Sequence, residues 1–225
     1  MKRFYLIFLF LTAILQAEDL KFEKDIYEAK AGFKDTEVIS DFKFTNTSSK
    51  AITIKHVEPG CTCVTVEFFG GKVTYSAGES GIMRVKFKLD NAQGTVDKPI
   101  LIYLANDPED KPSTEVTFRI HIPIAVSLDT KTLSWNINSK PETKTLRVTN
   151  NYDKPVHITS VSTTNENITA EIVTIEDGKS YEIRVTPKST ATGGLCVILI
   201  ENDIEIERFR SQQAFARIMS SPVEQ

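Results

Sequence analysis

Cysteine is scarce in this chain: three residues among 225, too few for a disulfide-built scaffold, so apolar cores must hold the fold. The odd number leaves at least one thiol without an intramolecular partner. Histidine is as rare, and His56, His121 and His157 form no His-x-His or His-Glu-x-x-His spacing. No Gly-x-Ser-x-Gly elbow positions a nucleophile, and no glycine-rich loop is spaced to cradle a phosphate. After residue 17, no segment sustains apolar residues at i, i+3, i+4 and i+7 over three turns. An excess of positive charge is also missing. Lysine and arginine total 27 against 30 acidic residues, a formal net charge of -3, which argues against nucleic acid and anionic membranes as partners.

What the chain does have begins with an address. Lys2 and Arg3 precede an apolar run from Phe4 to Leu15, then Gln16 and Ala17, then acidic Glu18 and Asp19. This is the layout of a secretory signal peptide over residues 1–17, with cleavage after Ala17. The run is shorter than the roughly 20 apolar residues that span a bilayer, so no stable membrane anchor is expected after cleavage. No cysteine follows the cut to carry a lipid. Removing 17 of 225 residues, two of them cationic, leaves 208 residues with a charge of -5. The expected location is periplasmic or secreted.

Period-two alternation recurs along the rest. Phe42 and Phe44 alternate with polar neighbours, as do Ile52 and Ile54, then Val64, Val66 and Phe68. Ile82 to Leu89, Pro99 to Leu104 and an unusually long run from Val116 to Val126 read as further strands. Turn signals separate them, among them Asn46-Thr47-Ser48-Ser49, Gly70-Gly71 and Asn106-Asp107-Pro108. The chain also repeats itself. Phe44-Thr45-Asn46, Lys50, Ile52 and Ile54 recur as Val148-Thr149-Asn150, Lys154, Val156 and Ile158, at a constant offset of 104. Ile102 to Asp107 recurs as Ile198 to Asp203, at an offset of 96. The fold class expected is all-β: two tandem immunoglobulin-like sandwiches, over residues 18–125 and 126–225.

One stretch, Glu58-Pro59-Gly60-Cys61-Thr62-Cys63, stands out, and it reads as an elaboration of the first copy only, because the second has Thr163 to Asn167 there. Residues two apart on an extended strand lie about 6.5 to 7 Å apart with parallel Cβ vectors, a poor disulfide geometry, so a bridge would need the chain to bend through Thr62. Three readings of Cys61 and Cys63 stand open: turn packing, redox-active or disulfide-forming thiols, and contact with a soft metal ion, copper(I) or zinc. His56 is the candidate third ligand, although it shares the parity of Ile52 and Ile54 and turns away from the cysteines unless a bulge intervenes. Cys196, within Leu195 to Ile200, reads as a buried core residue. His121 and His157 read as satisfied strand histidines, and Asn106 to Asp110 as a solvated hairpin tip.

The first half resembles the bacterial family called domain of unknown function 1573. The resemblance runs through Phe42 to Asn46, Ile52 to Ile54, Val57, the Gly-Cys-Thr-Cys stretch, Ala77 to Gly81, Val85 to Phe87 and Gly94, covering roughly residues 38–107. The family's usual Ser-Cys-Gly-Cys-Thr is here altered to Gly60, Thr62 and Val64 around the same two cysteines. The resemblance implies an immunoglobulin-like, Hydin-like sandwich and no activity. Taken together, the expected role is a non-enzymatic binding or scaffolding protein of the cell envelope, with a protein or envelope component as partner. A metal-binding or thiol-redox protein using Cys61 and Cys63 is the alternative.

Overall fold

A computed structural model describes residues 19–220. The leader expected over residues 1–17 lies outside the described residues, as does the end of the C-terminal tail. The chain is all-β. The strands are β1 (Leu20–Phe22), β2 (Ile26–Lys30), β3 (Glu37–Asn46), β4 (Ile52–Pro59), β5 (Val64–Phe68), β6 (Thr74–Tyr75), β7 (Ser80–Lys88), β8 (Gly94–Leu104) and β9 (Thr114–Ile122). They continue as β10 (Val126–Leu128), β11 (Thr132–Asn136), β12 (Lys144–Asn150), β13 (Ile158–Thr163), β14 (Ile168–Glu176), β15 (Ser180–Pro187), β16 (Gly194–Asn202) and β17 (Ser211–Met219).

Among the described residues four sheets result, ordered β1-β3-β7-β5, β2-β9-β8-β4-β6, β10-β12-β15-β14 and β11-β17-β16-β13. Strand for strand the second pair repeats the first, with only the short β6 unmatched. The duplication read from spacing is therefore a duplication of topology. By contact density the chain forms two compact units. One runs to Tyr27 and continues through Ile39–Phe87 and Asp97–Arg119; the other gathers Glu28–Val38, Lys88–Val96 and the chain from Ile120.

Alternation puts the expected residues inside. Phe42 and Phe44 are buried on β3 while Asp41 and Lys43 face out. Phe42 stacks on Tyr27 at 3.9 Å between centroids and meets Phe118 edge-on at 5.4 Å. In the second unit Leu146, Val148, Ile183, Ile198, Ile200 and Phe209 form the core, and Cys196 is buried among them. Within that unit Arg208 donates to the carbonyls of Gly32, Phe33 and Ala92, and Phe33 packs edge-on against Tyr152 and Phe209.

The repeated Asn-x-x-x-Lys spacing has a physical basis. Asn46 is fully buried, and its Nδ2 donates to the carbonyls of Lys50, Tyr75 and Ser76 while its Oδ1 accepts from the Ser48 N–H. Asn150 repeats this toward Lys154 and Gly178, with the Tyr152 N–H on its Oδ1. A buried backbone carbonyl needs a donor, and a buried amide supplies two.

Two expectations are corrected. The long strand from Val116 to Val126 is two strands, because β9 ends at Ile122 and Pro123, which has no N–H to donate, starts the gap before β10. His157 stands just ahead of β13 rather than in a strand, with its Nδ1 2.8 Å from the Asp203 carboxylate, which raises its pKa.

A pH prediction arises from Glu205. It accepts from the Tyr152 hydroxyl at 2.6 Å, from Lys154 at 3.0 Å and from Lys34 at 3.3 Å, which hold its carboxyl down at about 2, while the hydrogen bond to this carboxylate pushes the Tyr152 phenol up to about 12. Because the folded carboxyl titrates below its unfolded value, its contribution is present above the ordinary carboxylate range and disappears as pH falls toward about 2. Unfolding followed by the fluorescence of Trp135, the single tryptophan, should show this acid-side loss, and Glu205→Gln should flatten it. An unchanged acid limb in Glu205→Gln contradicts the assignment.

Candidate functional site

The cysteine stretch joins β4 to β5. β4 pairs antiparallel with β8, from Ile54 opposite Leu104 to Pro59 opposite Ile100, with a bulge between Ile54 and His56. That bulge breaks the parity, so His56 stands on the outer side half-exposed while Ile52 and Ile54 stay buried. Its ring stacks on Tyr103 at 4.3 Å, and its Nε2 lies 3.2 Å from Glu58 Oε1. The Tyr103 hydroxyl donates to the other Glu58 oxygen at 3.3 Å. Burial and then the Glu58 carboxylate push the Tyr103 phenol up.

Beyond Pro59 the chain leaves the strand. Gly60 donates its N–H to the Pro99 carbonyl at 3.0 Å, and the Val64 N–H donates to the Cys61 carbonyl at 3.2 Å, closing a turn over residues 61–64. A side chain at Gly60 would press on Pro99, whose Cδ lies 3.2 Å from the Cβ position. The turn draws the Cα atoms of Cys61 and Cys63 to 5.2 Å, inside the disulfide range, and the two sulfurs are bonded. The poor geometry expected for an extended strand is corrected: the bend through Thr62 is present. Val64 is buried at the start of β5, and both cysteines are half-buried.

The second copy explains what the bridge replaces. At the same offset of 104, Cys61, Cys63 and Val64 correspond to Asn165, Asn167 and Ile168. The Ile168 N–H donates to the Asn165 carbonyl at 3.0 Å, the same turn. Asn165 Oδ1 accepts from the Asn167 N–H at 2.9 Å, and Asn167 exchanges hydrogen bonds with Ser189. One copy thus closes the turn with a covalent bond, its twin with side-chain amides. The stretch is not an elaboration added to one copy; it is an equal-length turn with a different clasp. Extending the offset of 104 through the turn is the signal that would have found this.

The other sequence candidates disperse. Among the described residues, no group of three or more His, Cys, Asp or Glu is placed to hold a metal ion. Cys61 and Cys63 are bonded to each other, and His56 to Glu58. His121 lies 3.2 Å from the Thr95 hydroxyl, and Asp107 uses its carboxylate to take the Leu104 and Ser113 N–H groups, so the hairpin tip is internally organised. No helix among the described residues is long and apolar enough to cross a membrane.

The β1 to β9 half carries the bridged turn between β4 and β5, in the order the resemblance demands. Residues 20–119 match the DUF1573 family. Its description is Protein of unknown function, so the similarity carries no activity with it. The matched region holds the cysteine pair, and the second sandwich lies beyond the match. No curated protein matches the chain. Solved structures similar to it include a protein of unknown function from Porphyromonas gingivalis W83, 14% identical, covering 89% of this chain and 99% of that one, with a TM-score of 0.35. The CupB2 chaperone of Pseudomonas aeruginosa is 10% identical over 88% of this chain and 98% of its own, with a TM-score of 0.35. A PapD-like domain of human CEP192 is 8% identical over 54% of this chain and 96% of its own, also at 0.35. At these values the likenesses add nothing on function beyond the DUF1573 match.

Proposed function

We propose that this chain is an exported, non-enzymatic binding or scaffolding protein of the bacterial cell envelope, which loses residues 1–17 and engages a protein or another envelope component. The observation that carries this reading is the Cys61–Cys63 bridge. Cystines persist in oxidising compartments, in agreement with the leader-like N-terminus. A bridged pair also offers no thiolate to act as nucleophile or metal ligand. Sandwich modules meet partners through exposed edges and end loops, and the bridge stiffens one such loop. The test is to fractionate cells expressing the full chain with a C-terminal tag, determine its mass, and crosslink it in intact cells. Recovery outside the cytoplasm as a chain starting at Glu18, with crosslinked adducts, is expected. A cytoplasmic chain of 225 residues, or an exported one that forms no adduct, contradicts the reading.

One observation favours a second reading, a periplasmic thiol-redox or metal-handling protein. The twin turn keeps its shape without a disulfide, so the bridge can open without unfolding the sandwich. A dithiol would supply the two electrons and two protons, leaving two thiols on the turn and its own sulfurs oxidised. The freed pair would then offer two thiolates to a soft ion, copper(I) or zinc. For a ring this short the closure entropy is about 1.5 kcal/mol, so Cys61→Ser with Cys63→Ser is expected to lower stability by no more than about that amount. A loss of about 4 kcal/mol would make the bridge structural and remove this reading.

A further inference from the structure

Three of the four sheets turn a charged face outward. Arg84 pairs with Asp41 and Lys86 with Glu67 on β3, β7 and β5. Arg119 pairs with Asp97 across β9 and β8, and Arg147 reaches Glu182 across β12 and β15. The sheet β11-β17-β16-β13 differs. On its outward face the register sets Leu195 opposite Arg217, Val197 opposite Phe215 and Leu199 opposite Gln213. Leu195 is 57% exposed and Met219 48%, while Val197, Leu199 and Phe215 are half-buried. Hydroxyl side chains flank this apolar centre: Thr132 and Ser134 on β11, Ser160 and Ser162 on β13. The face carries two charged side chains of opposite sign, Arg217 and Glu201.

We propose that this face is the contact between two copies of this chain, packed sheet against sheet. A chain of net charge -3 repels its own copies wherever acidic side chains meet, and this face has no net charge to do so. Its apolar centre and hydroxyl-rich rim have the anatomy of a protein interface rather than of a solvated sheet. It is also self-complementary, as a two-fold contact requires. Leu195 and Arg217 are paired near one end of β16 and β17, Glu201 and Ser211 at the other. A two-fold axis running across the strands lays β16 on β16 and β17 on β17, so Val197 meets Leu199 of the other copy in the apolar centre, and Arg217 comes to the same end as Glu201 of the other copy, one strand across. At ordinary strand spacing and rise the four strands tile about 500 Å² of plane, so two copies bury about 1,000 Å², the lower bound for a specific interface. The dimer expected is one of micromolar strength.

Sedimentation of the mature chain from about 1 to about 300 µM tests this, the range in which such a contact fills. The expected result is a mass that rises from one copy to two. Leu195→Asp and, separately, Met219→Asp should each weaken association about tenfold or more. Ile39→Asp, an exposed position on the charged face of β3, should leave it unchanged. Arg217→Glu should weaken it, and adding Glu201→Arg should restore it, a rescue that loss of folding cannot imitate. A chain that stays single throughout the range overturns the proposal, as does a dimer indifferent to both aspartates. Uptake of the single chain by phosphatidylglycerol vesicles in a Leu195-dependent manner overturns it in favour of a lipid contact.

Discussion

Phe44→Ala is expected to destabilise the first unit by about 4 kcal/mol, the largest single-residue effect foreseen here. Phe44 is 1% exposed, and its ring meets Phe22 at 5.4 Å, Tyr75 at 4.9 Å and Phe68 at 6.0 Å, so truncation leaves a void bounded by three aromatic rings that cannot all move in. The fit is tight enough to dictate a glycine across from it. A Cβ at Gly81 would lie 2.4 Å from the Phe44 ring and 2.6 Å from that of Tyr75. Gly81→Ala is accordingly expected to cost about 1 to 3 kcal/mol, and less when Phe44→Leu has made room. Urea unfolding followed by circular dichroism measures both. A Phe44→Ala loss below about 1 kcal/mol would show that the ring is not the keystone described.

Asn46→Ala ranks second, at about 3 kcal/mol. The substitution removes a donor from the carbonyls of Lys50, Tyr75 and Ser76 and the acceptor from the Ser48 N–H; Ser76 keeps the Glu79 N–H and Lys50 the Ser48 hydroxyl, so the buried Tyr75 carbonyl and the Ser48 N–H carry most of the loss, each at about 1 kcal/mol or more. Asn150→Ala should repeat the effect in the second unit, where Trp135 fluorescence reports it. Asn46→Asp is expected to be no milder, since it keeps the acceptor and removes both donors from three carbonyls. If only one of the two asparagines matters, the equivalence of the copies fails.

Much of this was legible in the sequence because it rests on periodicity. Burial of Phe42, Phe44, Ile52 and Ile54 follows from alternation alone, and the offset of 104 between Asn46 and Asn150 announced a repeated turn. The strand break at Pro123 was also written in the chain, although apolar neighbours masked it. What alternation could not give is where it stops. By spacing His56 shares the parity of Ile54, but a bulge lies between them, and a single extra residue reverses every side chain beyond it. Alternation alone sets the cysteines on an extended strand, whereas the backbone turns at Gly60 before β5 begins. The opposed pairs on the outward face of β16 and β17 depend on register between strands joined by a loop, which no local pattern encodes.

The clasp on the β4–β5 turn is the feature on which the functional reading depends, and counting thiols tests it most directly. The purified protein is treated with iodoacetamide, and its intact mass is read in three states. The folded protein should take no adduct, because Cys61 and Cys63 are bonded and Cys196 is 1% exposed. Unfolding without reductant should add one, at Cys196, and unfolding with reductant should add three. Two or more adducts before any reductant is added would contradict the bridge and, with it, the account of this turn as an oxidised clasp on an exported sandwich.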